Sequence, residues 1–352
     1  METYYPSYLT SNLKPPLPLN NQTIKKVLYS KHHNKTRKKD KSVKLKSIKY
    51  FIDPQTQEIY DVEKDRSNVK KILQANVLKN KRINSKNVVL PKQCLSNCWF
   101  NVMFVTYFIS DKGREFTRPF RLLMVDGLKN YSGIKPYNLK KINNALFLLN
   151  LAIESSLTGS SFAYKMNTNE IIEDVYNSVF DPVKHNITNY DEFGNSVSYY
   201  NAIIKLLYPD NTYPVFTLYS NITHNFVTNY LVQDHLPDIF VVVIDTRYSK
   251  DISGKKKNLS IFSKTQNITA TYEIDSICLQ DTNKKHIGCF FTLNKKGFFF
   301  DGNCKRKKLP FSWKNNTFLN SNKNIILQKS CSNPTNFNMR NAYQILYYYR
   351  TQ

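Results

Sequence analysis

The chain has 352 residues, enough for one large domain or two ordinary ones, and a hydrophobic share of 41% gives it a real core. Its net charge of +25 points to a polyanionic partner or a solvated basic tail. The composition excludes a disulfide-framework protein, because the six cysteines are too few and too irregularly spaced.

The positive charge is concentrated at the start. Residues 1–91 hold 20 Lys/Arg against 7 Asp/Glu, a surplus of about 13. Residues 1–24 carry Pro6, Pro15, Pro16 and Pro18 and read as irregular. Residues 25–49 hold 11 Lys/Arg against one acid, Asp40. Such a run meets phosphate, on nucleic acid or an anionic surface, or else stays a disordered solubilising tail. The stretch Ile48–Val62 reads as a strand or hairpin, and 63–86 as basic and helical. Residues 1–86 are therefore expected to form a basic, partly disordered arm ahead of a domain at 87–352. No run reaches the ~20 apolar residues of a spanning helix, and the N-terminus has no secretory pattern. Reduced thiols in an intracellular setting are expected, in the cytoplasm or nucleus of a host cell or in a virion.

The composition changes near Val88. The run VVLPKQCLSNCWFNVMFVTYFIS reads as a short strand or turn followed by a helix from about Cys98. Residues 114–180 repeat apolar residues at three and four positions, which predicts helices. After Asn186 the pattern turns to short β-rich runs: PVFTLYS, IFVVVIDTRY, ATYEIDSICLQ, IGCFFTLN and GFFFDGN, separated by turn residues such as NKKG. A helical half followed by a strand-rich half is an α+β layout.

Two places carry chemistry. Cys98 sits where a polar turn, Ser96-Asn97, gives way to an apolar helical run. The unpaired N–H groups at a helix start favour thiolate over thiol, although a lone cysteine is most often a small core residue. His286 opens the run HIGCFF, and fifteen residues later FFF ends on Asp301. A β-hairpin would bring Asp301 to His286 and let the carboxylate fix the imidazole tautomer. The bland alternative is a surface histidine beside Lys284 and Lys285.

These residues resemble the ubiquitin-specific proteases, whose cysteine box has the form N-x-x-x-T-C-Y-x-N. Here Gln93-Cys94-Leu95-Ser96-Asn97-Cys98-Trp99-Phe100-Asn101 keeps the C-aromatic-x-N core. The family's LPxxLxxxLxRF strand resembles Leu236 through Ile244, and its Y-x-L-x-A-V strand resembles Tyr272 through Ile277. Its His box, backed by a W-Y-x-F-D strand, resembles His286 through Phe300-Asp301, and its A-Y-x-L-x-Y ending resembles Ala342 through Tyr347. The five matches fall in the family's order over about residues 88–350.

The resemblance implies a papain-like cysteine protease with a helical thumb and a β-rich palm. Cys98 would be nucleophile, His286 base and Asp301 orienter. Gln93 holds the place of the family's oxyanion asparagine, and its carboxamide offers the same N–H donor. Ubiquitin or a ubiquitin-like protein is the implied partner, and no cofactor or metal is implied. Departures are Lys285-His286-Ile287 in place of G-H-Y, only a faint acidic box at Met166–Ile171, and no zinc-binding finger cysteines. Two other readings remain open. One is a thiol protease of another specificity, viral or cellular; the other is a basic nucleic-acid-binding or virion protein on a decayed protease scaffold.

Overall fold

A computed structural model describes residues 50–52, 58–79, 83–93, 96–128, 136–159, 168–207, 215–220, 231–232, 236–245, 254–263, 265–281, 286–304, 308–326, 336–340 and 343–351. In chain order the elements begin β1 (Tyr50–Ile52), β2 (Ile59–Asp61), α1 (Arg66–Lys79) and α2 (Cys98–Met103), which runs on as a π-helical segment, Phe104–Ile109. Then come α3 (Asp111–Phe116), α4 (Arg118–Asp126), α5 (Leu139–Thr158), α6 (Thr168–Tyr176) and α7 (Ser196–Leu207). The strands follow: β3 (Val215–Ser220), β4 (Leu231–Val232), β5 (Ile239–Asp245), β6 (Asn258–Ser263), β7 (Ile268–Gln280), β8 (Ile287–Leu293), β9 (Lys296–Phe300) and β10 (Lys308–Pro310). The chain closes with α8 (Asn316–Leu319), β11 (Asn324–Ile326), β12 (Asn336–Asn338) and β13 (Tyr343–Arg350). Helices thus precede a largely antiparallel sheet, the expected α+β order.

The chain divides into two compact units. One is Met1–Asn101 with Thr117–Asn211; the other is Val102–Phe116 with Thr212–Gln352.

In the helical unit, the expected hairpin near Ile48–Val62 is the antiparallel pair β1–β2. Helix α1 packs on α4, and α5 packs on both α4 and α6. The run from 62 to 83 falls within the expected basic arm, yet Val62, Val69, Leu73, Val77 and Ile83 are buried. Arg118 Nε donates to the Val77 carbonyl at 2.7 Å, and Arg118 also holds the Leu78 carbonyl. A buried Arg121 donates to Asn150 Oδ1 at 2.7 Å and to Glu154 Oε2 at 2.9 Å. Burial pushes the guanidinium pKa down, and the Glu154 carboxylate opposes that shift. Residues 25–49 lie outside the described residues.

Helix α7 departs from the sequence reading, which made everything after Asn186 strand-rich. Its residues Val197, Tyr199, Tyr200, Ile203, Ile204 and Leu206 are all buried. A helix covered on nearly every side shows no polar stripe, and its β-branched and aromatic content mimics a strand.

The strand-rich unit is built on one sheet, with the described strands in the order β10-β9-β8-β7-β13-β5-β3. Strand β7 organises it. One edge pairs with β8 at residues 276–280 and with β6 at 268–273, and the other edge pairs with β13. A 13-residue strand is long enough to serve both partners in turn. All these pairings are antiparallel, whereas β3 joins β5 in parallel. One face packs a core of Phe240, Tyr272, Ile274, Phe290, Phe299 and Trp313, among others. Trp313 Nε1 donates to the Phe291 carbonyl at 3.2 Å. Gly297 has to be glycine, because a Cβ there would lie 2.2 Å from the Phe311 oxygen.

Candidate active site

The helical unit supplies Cys98 and Gln93. Cys98 is the first residue of α2 and is buried with a reduced thiol. The start of α2 is fixed by a buried polar ring. Asn97 Nδ2 donates to Thr168 Oγ1 at 2.6 Å, Thr168 Oγ1 donates to Asn101 Oδ1 at 3.3 Å, and Asn101 N donates to the Asn97 carbonyl at 3.0 Å. Asn101 is thus a bracing residue, and Thr168, the first residue of α6, is its partner. Trp99 completes the bracing: its Nε1 donates to the Glu192 carbonyl at 3.1 Å, and its ring meets Tyr199 edge-on at 4.8 Å. Gly194 lies flat against that indole, where a Cβ would come within 2.4 Å of the ring.

Gln93 is half-buried, at the end of a segment held by α5. Val89 N donates to the Ser156 carbonyl at 3.0 Å, and Ser156 Oγ donates back to the Val89 carbonyl at 2.5 Å. This ladder-like pairing fixes the approach of the chain to Gln93.

The strand-rich unit supplies His286 and Asp301. Strands β8 and β9 form the expected hairpin, with Leu293 opposite Lys296 and Cys289 opposite Phe300. The two-residue turn between them, Asn294-Lys295, has φ of 50° and 62°. Positive φ at both positions matches the right-handed twist of the strands, but it strains a lysine. The carboxylate of Asp111 offsets that cost by accepting from Asn294 N at 2.8 Å and Lys295 N at 2.7 Å.

At the open end of the hairpin, His286 Nε2 lies 2.7 Å from Asp301 Oδ1, with both side chains buried. The short contact to a carboxylate assigns the proton to Nε2, which makes Nδ1 the basic nitrogen of the ring. The same Asp301 Oδ1 accepts from Asn303 N at 2.8 Å. Asp281 holds the other side: its N–H donates to the His286 carbonyl at 2.8 Å, and its Oδ1 accepts from His286 N at 3.1 Å. The ring of Phe337 stands 6.2 Å from the imidazole. Sequence reasoning missed Asp281 and Asp111, since a carboxylate that binds backbone leaves no motif.

Of the four residues singled out in the sequence, the structure brings His286 and Asp301 into direct contact. Cys98 and Gln93 lie in the other unit. The expectation of reduced thiols holds at Cys98, Cys278 and Cys289 and fails at Cys304, which is disulfide-bonded. A single cross-link needs none of the regular spacing that marks a disulfide framework. Among the described residues no cluster of three or more His, Cys, Asp or Glu is arranged to hold a metal ion. Nor is any helix there long and apolar enough to cross a membrane.

The solved structures similar to the chain include two of the SAGA DUB module. A chain of the SAGA DUB module Ubp8/Sgf11/Sus1/Sgf73 bound to monoubiquitin aligns with a TM-score of 0.44 at 9% identity, over 86% of this chain and 81% of that one. A chain of the Ubp8-Sgf11-Sgf73-Sus1 SAGA DUB module aligns with a TM-score of 0.41 at 10% identity, over 84% and 76%. At these values the likeness carries no argument for activity. No protein-family model matches the sequence, and no curated protein matches it.

Proposed function

We propose that the chain is a thiol-dependent hydrolase that cleaves ubiquitin or a ubiquitin-like modifier from protein conjugates. The observation that carries the reading is the buried His286–Asp301 pair at 2.7 Å, held on both sides by backbone contacts. An imidazole held in the Nε2–H tautomer presents Nδ1 as a general base toward a proton donor. The chain's family-like cysteine box supplies that donor at Cys98, the first residue of a braced helix.

In the proposed reaction Nδ1 of His286 takes the Cys98 thiol proton as the sulfur attacks the carbonyl carbon of the scissile bond. Asp301 stabilises the imidazolium that forms, and the Gln93 carboxamide donates to the tetrahedral oxyanion. The imidazolium then gives its proton to the leaving amine, and the C–N bond breaks to leave a thioester on Cys98. Water, deprotonated by His286, attacks the thioester and releases the modifier with a free C-terminal carboxylate.

The test is hydrolysis of isopeptide-linked diubiquitin by the full chain. The reading predicts monoubiquitin from the wild type and none from Cys98→Ala at an unchanged melting temperature. Equal turnover by the two proteins would overturn it.

A further inference from the structure

The helix that opens at Cys98 is tied down at its far end. It runs on through the π-helical segment Phe104–Ile109, and residues 102–116 belong to the strand-rich unit. Ser110 N closes the wide π turn by donating to the Val105 carbonyl at 2.9 Å, and Ser110 Oγ donates to the Thr106 carbonyl at 2.7 Å. Gly113 N donates to Ser110 Oγ at 3.2 Å, and only glycine fits there, since a Cβ would lie 2.0 Å from the Thr106 oxygen. The Tyr107 ring meets Tyr347 of β13 edge-on at 5.1 Å. Segments of π-helix within helices occur frequently at functional sites.

Two carboxylates fasten that end to the sheet. Asp275 of β7 is buried, and its Oδ2 accepts from Lys112 N at 3.0 Å and from Gly113 N at 3.4 Å, which caps the start of α3. Its Oδ1 accepts from the Thr292 hydroxyl of β8. Asp111, the first residue of α3, reaches the turn of the β8–β9 hairpin, where Oδ1 accepts from Asn294 N at 2.8 Å and Oδ2 from Lys295 N at 2.7 Å. His286 stands just ahead of β8 and Asp301 just after β9, at the other end of the same hairpin. One carboxylate thus couples the continuation of the Cys98 helix to the hairpin that carries the His286–Asp301 pair.

Relief of strain at Lys295 is one use of Asp111, but a glycine at position 295 would remove that strain with no carboxylate at all. A link between helix and hairpin is what the carboxylate alone supplies. We propose, on the basis of the peptidase reading, that Asp111 is a positioning residue of that reaction. It holds the hairpin bearing His286 at a fixed place along the Cys98 helix, and Asp275 fixes the backbone on which Asp111 stands. A nucleophile and base held in register react as one unit, and a displacement of about 1 Å costs ~10²-fold. Asp111 grips the hairpin at its turn, away from the His286 end, so its loss falls on kcat rather than on KM.

The test is steady-state hydrolysis of a ubiquitin C-terminal amide dye by the full chain, with a melting curve for each variant. Asp111→Ala should lower kcat by about tenfold to a hundredfold and change KM less than about twofold. Lys295→Gly alone gives the turn its favoured Asn-Gly sequence and should raise the melting temperature at wild-type kcat. The decisive variant is Asp111→Ala/Lys295→Gly, whose melting temperature should return toward wild type while its kcat stays low. If Asp111→Ala alone fails to fold, the double variant still carries the comparison. Asp111→Asn, which keeps one acceptor oxygen, should then lie between it and wild type in kcat. Recovery of kcat together with the melting temperature overturns the proposal, because Asp111 then serves only the turn. A loss confined to KM also overturns it. An active wild type matched in kcat by Asp111→Ala sinks this inference alone. A wild type that releases no dye sinks the peptidase reading, and this inference with it.

Discussion

Replacing Asp301 by asparagine tests the site in a way the geometry makes specific. Asp301 Oδ1 accepts two hydrogen bonds, one from His286 Nε2 at 2.7 Å and one from Asn303 N at 2.8 Å. In Asp301→Asn the new amide has two orientations. If its nitrogen took the Oδ1 position, it would set an NH2 group against both the Asn303 N–H and the imidazole N–H. The Asn303 N–H therefore selects the orientation with oxygen at that position, and the imidazole keeps its proton on Nε2. What is lost is charge. A hydrogen bond to an ionised acceptor contributes ~1.5–3 kcal/mol and a neutral one ~0.5–1.5 kcal/mol, so the deficit is about 1–2 kcal/mol. That converts to a fall in kcat of roughly 5- to 30-fold, well short of the ~10⁴ seen when an orienting Asp→Asn change imposes the wrong tautomer in a serine protease. Adding Asn303→Pro removes the selecting N–H, so the double variant should drop toward ~10⁴, while Asn303→Pro alone should do little. Steady-state hydrolysis of a ubiquitin C-terminal amide dye, with melting curves for each variant, measures all four corners. Wild-type rates in Asp301→Asn refute the orienting role. A ~10⁴ loss in that single variant, with its melting unchanged, refutes the selection by Asn303.

Three further outcomes follow from other parts of the structure. Gln93→Ala should lower kcat by roughly 10²–10³ with little change in KM, and an unchanged kcat would assign the oxyanion hole to backbone N–H groups alone. Lys255 is buried, donates to the carbonyls of Leu319 and Met339, and is pushed down to about 7 by burial and then by Arg340. The folded state therefore disfavours the charged lysine, so stability should rise with pH between about 7 and 10.5, by an amount on the order of 5 kcal/mol for this group. Urea unfolding of wild type and Lys255→Met should show the balance moving toward wild type over that range, and a difference that does not vary with pH would refute it. A chain that starts at Glu58 should stay folded and lose salt-sensitive retention on nucleic acid, whereas one that starts at Ser85 should unfold or precipitate. The longer cut deletes buried Val69, Leu73 and Val77, each worth ~2 kcal/mol or more, and the carbonyls that hold Arg118. A stable, active product of the longer cut would show that α1 is dispensable.

The parts of this fold that were legible in the sequence are those with a local pattern. The Phe298–Phe300 run after a two-residue turn predicts the hairpin, and fifteen residues of hairpin then bring Asp301 back to His286. The polar turn before an apolar run predicts the helix start at Cys98. What escaped the sequence depends on distant partners. Asn97 and Thr168 are 71 residues apart and share a hydrogen bond that neither residue type announces. The KKK run at 255–257 carries no local signal of burial, yet Lys255 is buried because Asn320, Leu319 and Met339 close around it. The basic stretch 63–86 reads as an arm by its charge, but its valines and leucine recur along one face of α1 and are buried. Charge density alone does not distinguish a solvated run from a helix with one buried stripe.

Cys98 is the proposed nucleophile for a ubiquitin-like C-terminus. The most direct measurement is reaction of the full chain with ubiquitin whose C-terminal carboxyl has been replaced by an electrophile, read by intact mass and peptide mapping. One covalent adduct is expected, carried on Cys98, absent from Cys98→Ala and strongly slowed in His286→Ala. No adduct at all, or an adduct mapped to any other cysteine, would contradict it.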